Sequence, residues 1–195
     1  MKKFELIENT WGKSLIKNYG LSKKQILSEE NRHILENIGL PVILNNLNYQ
    51  LLPFTFFHAV ELNNKFFYLI ADTGITVKGT SFLGLEQNTQ EVFEVYIREN
   101  GVSCLFLNQG LHQYLTCLAY YTNFLKTKYS SPSNIVNKQV KNDYQKLIDD
   151  MTKIDAKAME DLGCFWSEQV DRLKVSGYGD YLTGREIPTG ENLRT

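Results

Sequence analysis

The residues of this 195-residue chain best suited to chemistry are its three cysteines, Cys104, Cys117 and Cys164, with His58 and His112. A zinc site wants paired ligands at short spacing, such as Cys-x2-Cys or His-x3-His, because one loop or helical turn must present both to a tetrahedral ion. Here Cys104, His112 and Cys117 are separated by seven and four residues, with no fourth ligand beside them. On a helix His112 and Cys117 point to different sides, which favours a core cysteine and a surface histidine. No G-x-S-x-G elbow occurs, so a nucleophile would need a Cys and His pair assembled from distant segments. His58 sits between Phe57 and Ala59 in an apolar run and reads as a hydrogen-bonded core or rim residue. Phosphate-cradling patterns are missing, and Asp72-Thr73-Gly74 lacks the further oxygen ligands of a calcium loop, so it reads as a turn. The expectation is a protein with no catalytic residue, no cofactor and no metal.

Those residues must be carried by a domain, and composition bounds which kind. Apolar residues make up 43% of the chain and charged residues 22%, as in a folded globular protein. The formal charge of −1 argues against a direct nucleic-acid partner, which calls for a strongly basic face. Charge is uneven, however. Residues 1–32 hold seven Lys or Arg against four acids, whereas residues 33–101 hold three against seven. Three cysteines are too few, and odd in number, for a disulfide framework, and no Asn-x-Ser/Thr sequon occurs. With no apolar h-region at the start and no run of about 20 apolar residues, the reading is cytoplasmic, with no membrane contact.

The elements follow from local pattern. Ser28 with Glu29 and Glu30 opens a helix that Gly39-Leu40-Pro41 ends. From Pro53 the texture turns aromatic and β-branched, and Asn63-Asn64 predicts a hairpin of strands 54–62 and 65–71. ITVKGTSFLGLE, then VFEVYI up to the Asn100-Gly101 turn, then VSCLFL complete five successive strands, an antiparallel meander. Gly79 and Gly84 suggest bulges or close backbone approaches. Helical spacing returns after Asn108, read as the N-cap, and runs to about Lys128 with His112, Thr116 and Asn123 on a polar strip. SSPSN breaks the chain, and Val140, Tyr144, Leu147, Met151, Ile154 and Ala158 mark a further helix on the core. CFWSEQVDRLKV adds a short one. The prediction is an α+β domain over residues 1–175, a five- or six-stranded mainly antiparallel sheet with helices packed on it, and an extended tail over 176–195.

Several phrases are also familiar as a set: the helix ending IGLP at Ile38 to Pro41, Leu107-Asn108 followed by Leu111-His112-Gln113-Tyr114-Leu115, and Asp155, Ala156 and Ala158 before Trp166. In these the chain resembles the SUKH superfamily (SMI1/KNR4-like), and within it the SUKH-4 immunity proteins. It departs from the family pattern at Gln109-Gly110, where small residues are common, and at Phe165-Trp166, where two Trp often stand. The resemblance implies a bacterial immunity protein, an antitoxin that binds a cognate polymorphic toxin such as a nuclease or deaminase and covers its active surface. The superfamily also contains non-catalytic regulatory interaction domains, the alternative reading. A basic toxin cleft would pair with the acidic middle segment, making Asp72, Glu86, Glu91 and Glu94 the partner-binding candidates.

Overall fold

The computed structural model describes residues 3–17, 21, 26–43, 50–76, 79–129, 138–160 and 164–175. A first helix, α1 (Glu5–Trp11), leads to a short strand β1 (Leu15–Ile16). Helix α2 (Glu29–His33) follows, and its chain continues through Ile34–Ile38 as a wider π-type turn into β2 (Leu40–Pro41), which pairs with β1. Ser28 caps α2 as the sequence predicts, its hydroxyl accepting from the Asn31 N–H at 3.1 Å. The β1–β2 ribbon was not predicted; two residues per strand carry no periodicity.

Five strands, β3 (Leu52–Leu62), β4 (Lys65–Thr76), β5 (Gly79–Glu86), β6 (Val92–Arg98) and β7 (Gly101–Asn108), form an antiparallel sheet in sequence order. The α+β meander is therefore as expected. Asn63 and Asn64, both at positive φ (51° and 62°), make the β3–β4 turn, a conformation asparagine tolerates better than most residues. Asp72-Thr73-Gly74 is not a turn. Strand β4 runs through it to Thr76, and the register against β5 slips between Asp72 and Gly74, which has φ 107°. Glycine there forms a bulge, and a bulge and a turn share the same residue signature.

Beyond the sheet come α3 (Leu111–Tyr129), α4 (Lys138–Ile154) and α5 (Phe165–Val175). Leu111, Leu115 and Leu118 of α3, Leu147 and Met151 of α4, and Trp166 and Val170 of α5 bury with Leu83, Leu85, Val92 and Leu107 of the sheet. The polar strip predicted on α3 is partly covered. Helix α1 lies along it, with Asn123 Nδ2 donating to Thr10 Oγ1 at 2.9 Å and His112 Nε2 3.0 Å from the Lys3 carbonyl. Helix α4 stops at Ile154, and Ala158 reaches the core from a separate turn, Lys157–Met159. The predicted SSPSN break and the 176–195 tail lie outside the described residues.

Asn108 has a different role from the one predicted. The first α3 amide bond, from Tyr114 N–H at 3.0 Å, is accepted by Gly110, so Gly110 is the N-cap residue. The Asn108 side chain instead joins three elements. Its Oδ1 accepts from Trp166 Nε1 at 2.8 Å, and its Nδ2 donates to Asp155 Oδ2 at 2.9 Å. Asp155 also accepts from the Gln109 N–H (2.7 Å) and, through Oδ1, from the Ala158 N–H (3.3 Å). All three side chains are at most 2% exposed, and burial at that depth requires such mutual satisfaction.

Candidate functional site

Alternation along the strands divides the sheet into two faces. One carries Leu83, Leu85, Val92 and Leu107 and lies under the helices. The other carries Phe67 and Leu69 of β4, Phe93 and Val95 of β6, and around them Phe54, Val60, Leu62, Phe82, Ile97, Val102 and Phe106. Among the described side chains, each of the five strands contributes a phenylalanine to this face: Phe54, Phe67, Phe82, Phe93 and Phe106. Ring centroids lie 6.0 Å apart for Phe54–Phe82, 5.3 Å for Phe67–Phe93 and 5.7 Å for Phe93–Phe106, within the range of favourable aromatic pairs.

Gly84 lets this face close on itself. A Cβ there would meet Val95 Cγ2 at 2.7 Å and come within 3.7 Å of Phe67 and Leu69. Every described member of the cluster belongs to the sheet. Its floor of Phe67, Leu69, Phe93 and Val95 is buried, and the surrounding seven side chains are partly buried. An antiparallel sheet with one covered face ordinarily turns polar residues to the other, so an apolar open face is the departure to explain.

At one end the face meets the Lys157–Met159 turn in a cleft of about 390 Å³ lined by Lys65, Glu91, Phe93, Phe106, Lys157, Glu160 and Cys164. The Lys157 ammonium lies 4.4 Å from the Phe106 ring centroid and 2.7 Å from Glu91 Oε1. A charged rim over an aromatic floor suits an apolar side chain flanked by polar backbone.

The acidic candidates are dispersed by the fold, and two of the four are corrected. Glu86 is 1% exposed, its Oε2 accepting from the Asn88 N–H (3.1 Å) and the Thr89 N–H (2.5 Å) of the turn that follows it. Burial alone would raise its pKa, but those donors together with Lys65 outweigh it and hold the carboxyl below its ordinary value of 4.5. Glu94 is 7% exposed on the helix-covered face, accepting from the Tyr96 hydroxyl at 2.6 Å and the Thr73 hydroxyl at 3.4 Å. Burial and that bond push the Tyr96 phenol up, so it stays a donor. Neither carboxylate is presented to a partner. Asp72 is partly exposed but holds Gln50 Nε2 (3.1 Å) and the Gly74 N–H (2.6 Å), and Glu91 is paired with Lys157. A count of acids by segment does not show which side chains are buried; Glu94 and Glu86 serve buried hydrogen-bond networks instead.

The fold does not bring His58 and Cys104 together. His58 on β3 and Cys104 on β7 share the open face but stand on its opposite edge strands, four spacings or roughly 19 Å apart. Cys117 is fully buried, and burial, reinforced by Asp155 and opposed by the Asn108 hydrogen bond, pushes its thiol up to about 12. Burial likewise raises the Cys104 thiol, against the pull of Lys65. Among the described residues no three His, Cys, Asp or Glu side chains cluster as a metal site. No described helix is long and apolar enough to cross a membrane.

No protein-family model, no curated protein and no solved structure matches this chain. The open face is not among the features singled out from the sequence. A usable signal was there: VFEVYI is apolar at Phe93, Val95 and Ile97 as well as at Val92 and Tyr96. Strands apolar on both faces need cover on both.

Proposed function

We propose that this chain is a non-catalytic protein-binding domain whose working surface is the open aromatic face of the sheet. In the reading supplied by the resemblance to SUKH-4 proteins, it is an immunity protein that neutralises a cognate toxin. The observation that supports binding is a phenylalanine from each of five strands on a face that no described helix covers. Partly buried aromatic and branched side chains around a buried floor are the composition of an interface centre, where aromatic anchors supply most of the binding energy. The cleft beside Lys157 takes the partner's anchoring side chain, and the polar Lys65 and Glu160 meet its backbone.

The test is co-expression with the product of the adjacent gene. Rescue of growth together with co-purification is expected for an immunity protein. A Val60→Lys, Ile97→Lys double variant should lose both, because two ammonium groups would then have to be buried under the partner. Each site is partly exposed, so the lysines reach water in the free protein and its thermal transition should be preserved. Loss of rescue in the wild type, or rescue unaffected by the double variant, would remove this reading.

A further inference from the structure

The sheet has two edges, β3 and β7, and they are built differently. In β3 the two-residue turn fixes which backbone groups face inward: Leu62, Val60 and His58 bond to β4, so Ala59 and Glu61 turn theirs outward. That edge carries the usual protections against pairing with another chain: Pro53, an irregular register between Pro53 and His58, and the charge of Glu61.

The first six residues of strand β7 have none of these, the register slip at Leu107 lying beyond them. This stretch, GVSCLF, contains no charge and no proline, and its register against β6 is unbroken from Arg98↔Gly101 to Phe93↔Phe106. Arg98 and Gly101 flank a two-residue turn, so Gly101, Ser103 and Leu105 bond to β6. The N–H and C=O groups of Val102 and Cys104 therefore point off the sheet, and among the described residues they have no hydrogen-bond partner. Gly101, Ser103 and Cys104 are exposed, and Val102 partly exposed. The Lys157 turn and α5 touch β7 where it approaches Asn108, leaving the first half of the edge open.

We infer that β7 pairs with β7 of a second copy of this chain across a two-fold axis, making one continuous antiparallel sheet. A two-fold edge must be complementary to itself, and an uncharged strand meets no like charge when it meets itself. An axis at Ser103 sets Val102 of each copy opposite Cys104 of the other, and each of these residues gains both of its missing backbone bonds. The same register brings the Glu99 turn of one copy toward Lys157 of the other, a pairing of opposite charge. Because the axis is normal to the sheet, both aromatic faces lie on one side, and the dimer presents a doubled binding surface. The inference goes beyond the proposed function and does not depend on it.

Sedimentation equilibrium of the full chain tests it. The wild type should sediment at twice the chain mass, and Val102→Pro and Cys104→Lys should each halve that mass. Val102→Pro removes an outward N–H and leaves the β6–β7 ladder its bonds, and Cys104→Lys sets two charges together across the axis, so both variants keep the monomer fold. Glu61→Lys on the opposite edge, and the Val60→Lys, Ile97→Lys variant of the face, should remain dimeric. The idea is overturned by a wild type that is monomeric throughout, or by a dimer that persists in both β7 variants. A monomeric wild type whose complex with a partner protein is lost in those two variants also overturns it, since the edge would then take a foreign strand.

Discussion

Asn108 shows how one side chain is read by what its atoms touch. As an N-cap it would be worth on the order of 1 kcal/mol, the ordinary loss when a capping asparagine becomes alanine. In the fold both ends of its amide are used, Oδ1 by the Trp166 indole and Nδ2 by Asp155. Asn108→Ala therefore leaves a buried donor and a buried carboxylate oxygen short of partners. At about 1–3 kcal/mol for each group stranded, the expected loss is roughly 3 kcal/mol. Urea unfolding followed by tryptophan fluorescence measures it, and a loss near 1 kcal/mol would return Asn108 to the role of a local cap. The three residues of this joint lie in phrases that carried the sequence resemblance, so that likeness rested on side chains that build a joint. Their meeting was not legible in the sequence, because Asn108 and Asp155 are 47 positions apart and hydrogen-bond partners have no periodicity.

At the level of elements, the β5–β6 turn ties the sheet to α2. Gln90, at φ 62°, accepts from the Ser28 N–H (2.9 Å) and Asn31 Nδ2 (3.0 Å) and donates to the Ile26 carbonyl (3.2 Å). Glu86 holds the same turn through Asn88 and Thr89. Its folded pKa lies below its ordinary value, so the unfolded chain takes up a proton first as pH falls. The stabilisation Glu86 supplies is thus complete above about pH 4.5 and is lost as pH falls through the lower, folded value. Glu86→Gln should lower the melting temperature at neutral pH, and the gap from the wild type should narrow as pH falls below about 4.5. A gap constant from pH 7 to pH 3 would mean the carboxylate is not what holds the turn. Strands and helices were legible here because each repeats a pattern: alternation for β6, three-and-four spacing for α4. The bulge at Asp72-Thr73-Gly74, the two-residue β1–β2 ribbon and the α1 cover on α3 were not, since each depends on contacts between segments distant in sequence.

For the whole molecule, the fold changes what kind of partner surface is on offer. The acidic segment suggested electrostatic capture, and reversing charge at Glu86, Glu91 and Glu94 would have been its test. With Glu86 and Glu94 buried, that triple variant would place two uncompensated ammonium groups inside the protein and disturb folding rather than association. The aromatic face makes a different kinetic demand. Oppositely charged surfaces steer one another over about a Debye length, roughly 10 Å at 0.1 M salt, and their association slows steeply as salt rises. An apolar face gains nothing from that field, so its association rate should change little between low and physiological salt. The Val60→Lys, Ile97→Lys substitutions should instead speed dissociation, because desolvation of the new charges is imposed on the docked state. Stopped-flow association and surface-bound dissociation rates with the co-purified partner separate the two schemes. An association rate that falls by tenfold or more over the salt range would assign capture to charged groups at the rim of the face, with Lys65 and Glu160 of the cleft the first to substitute.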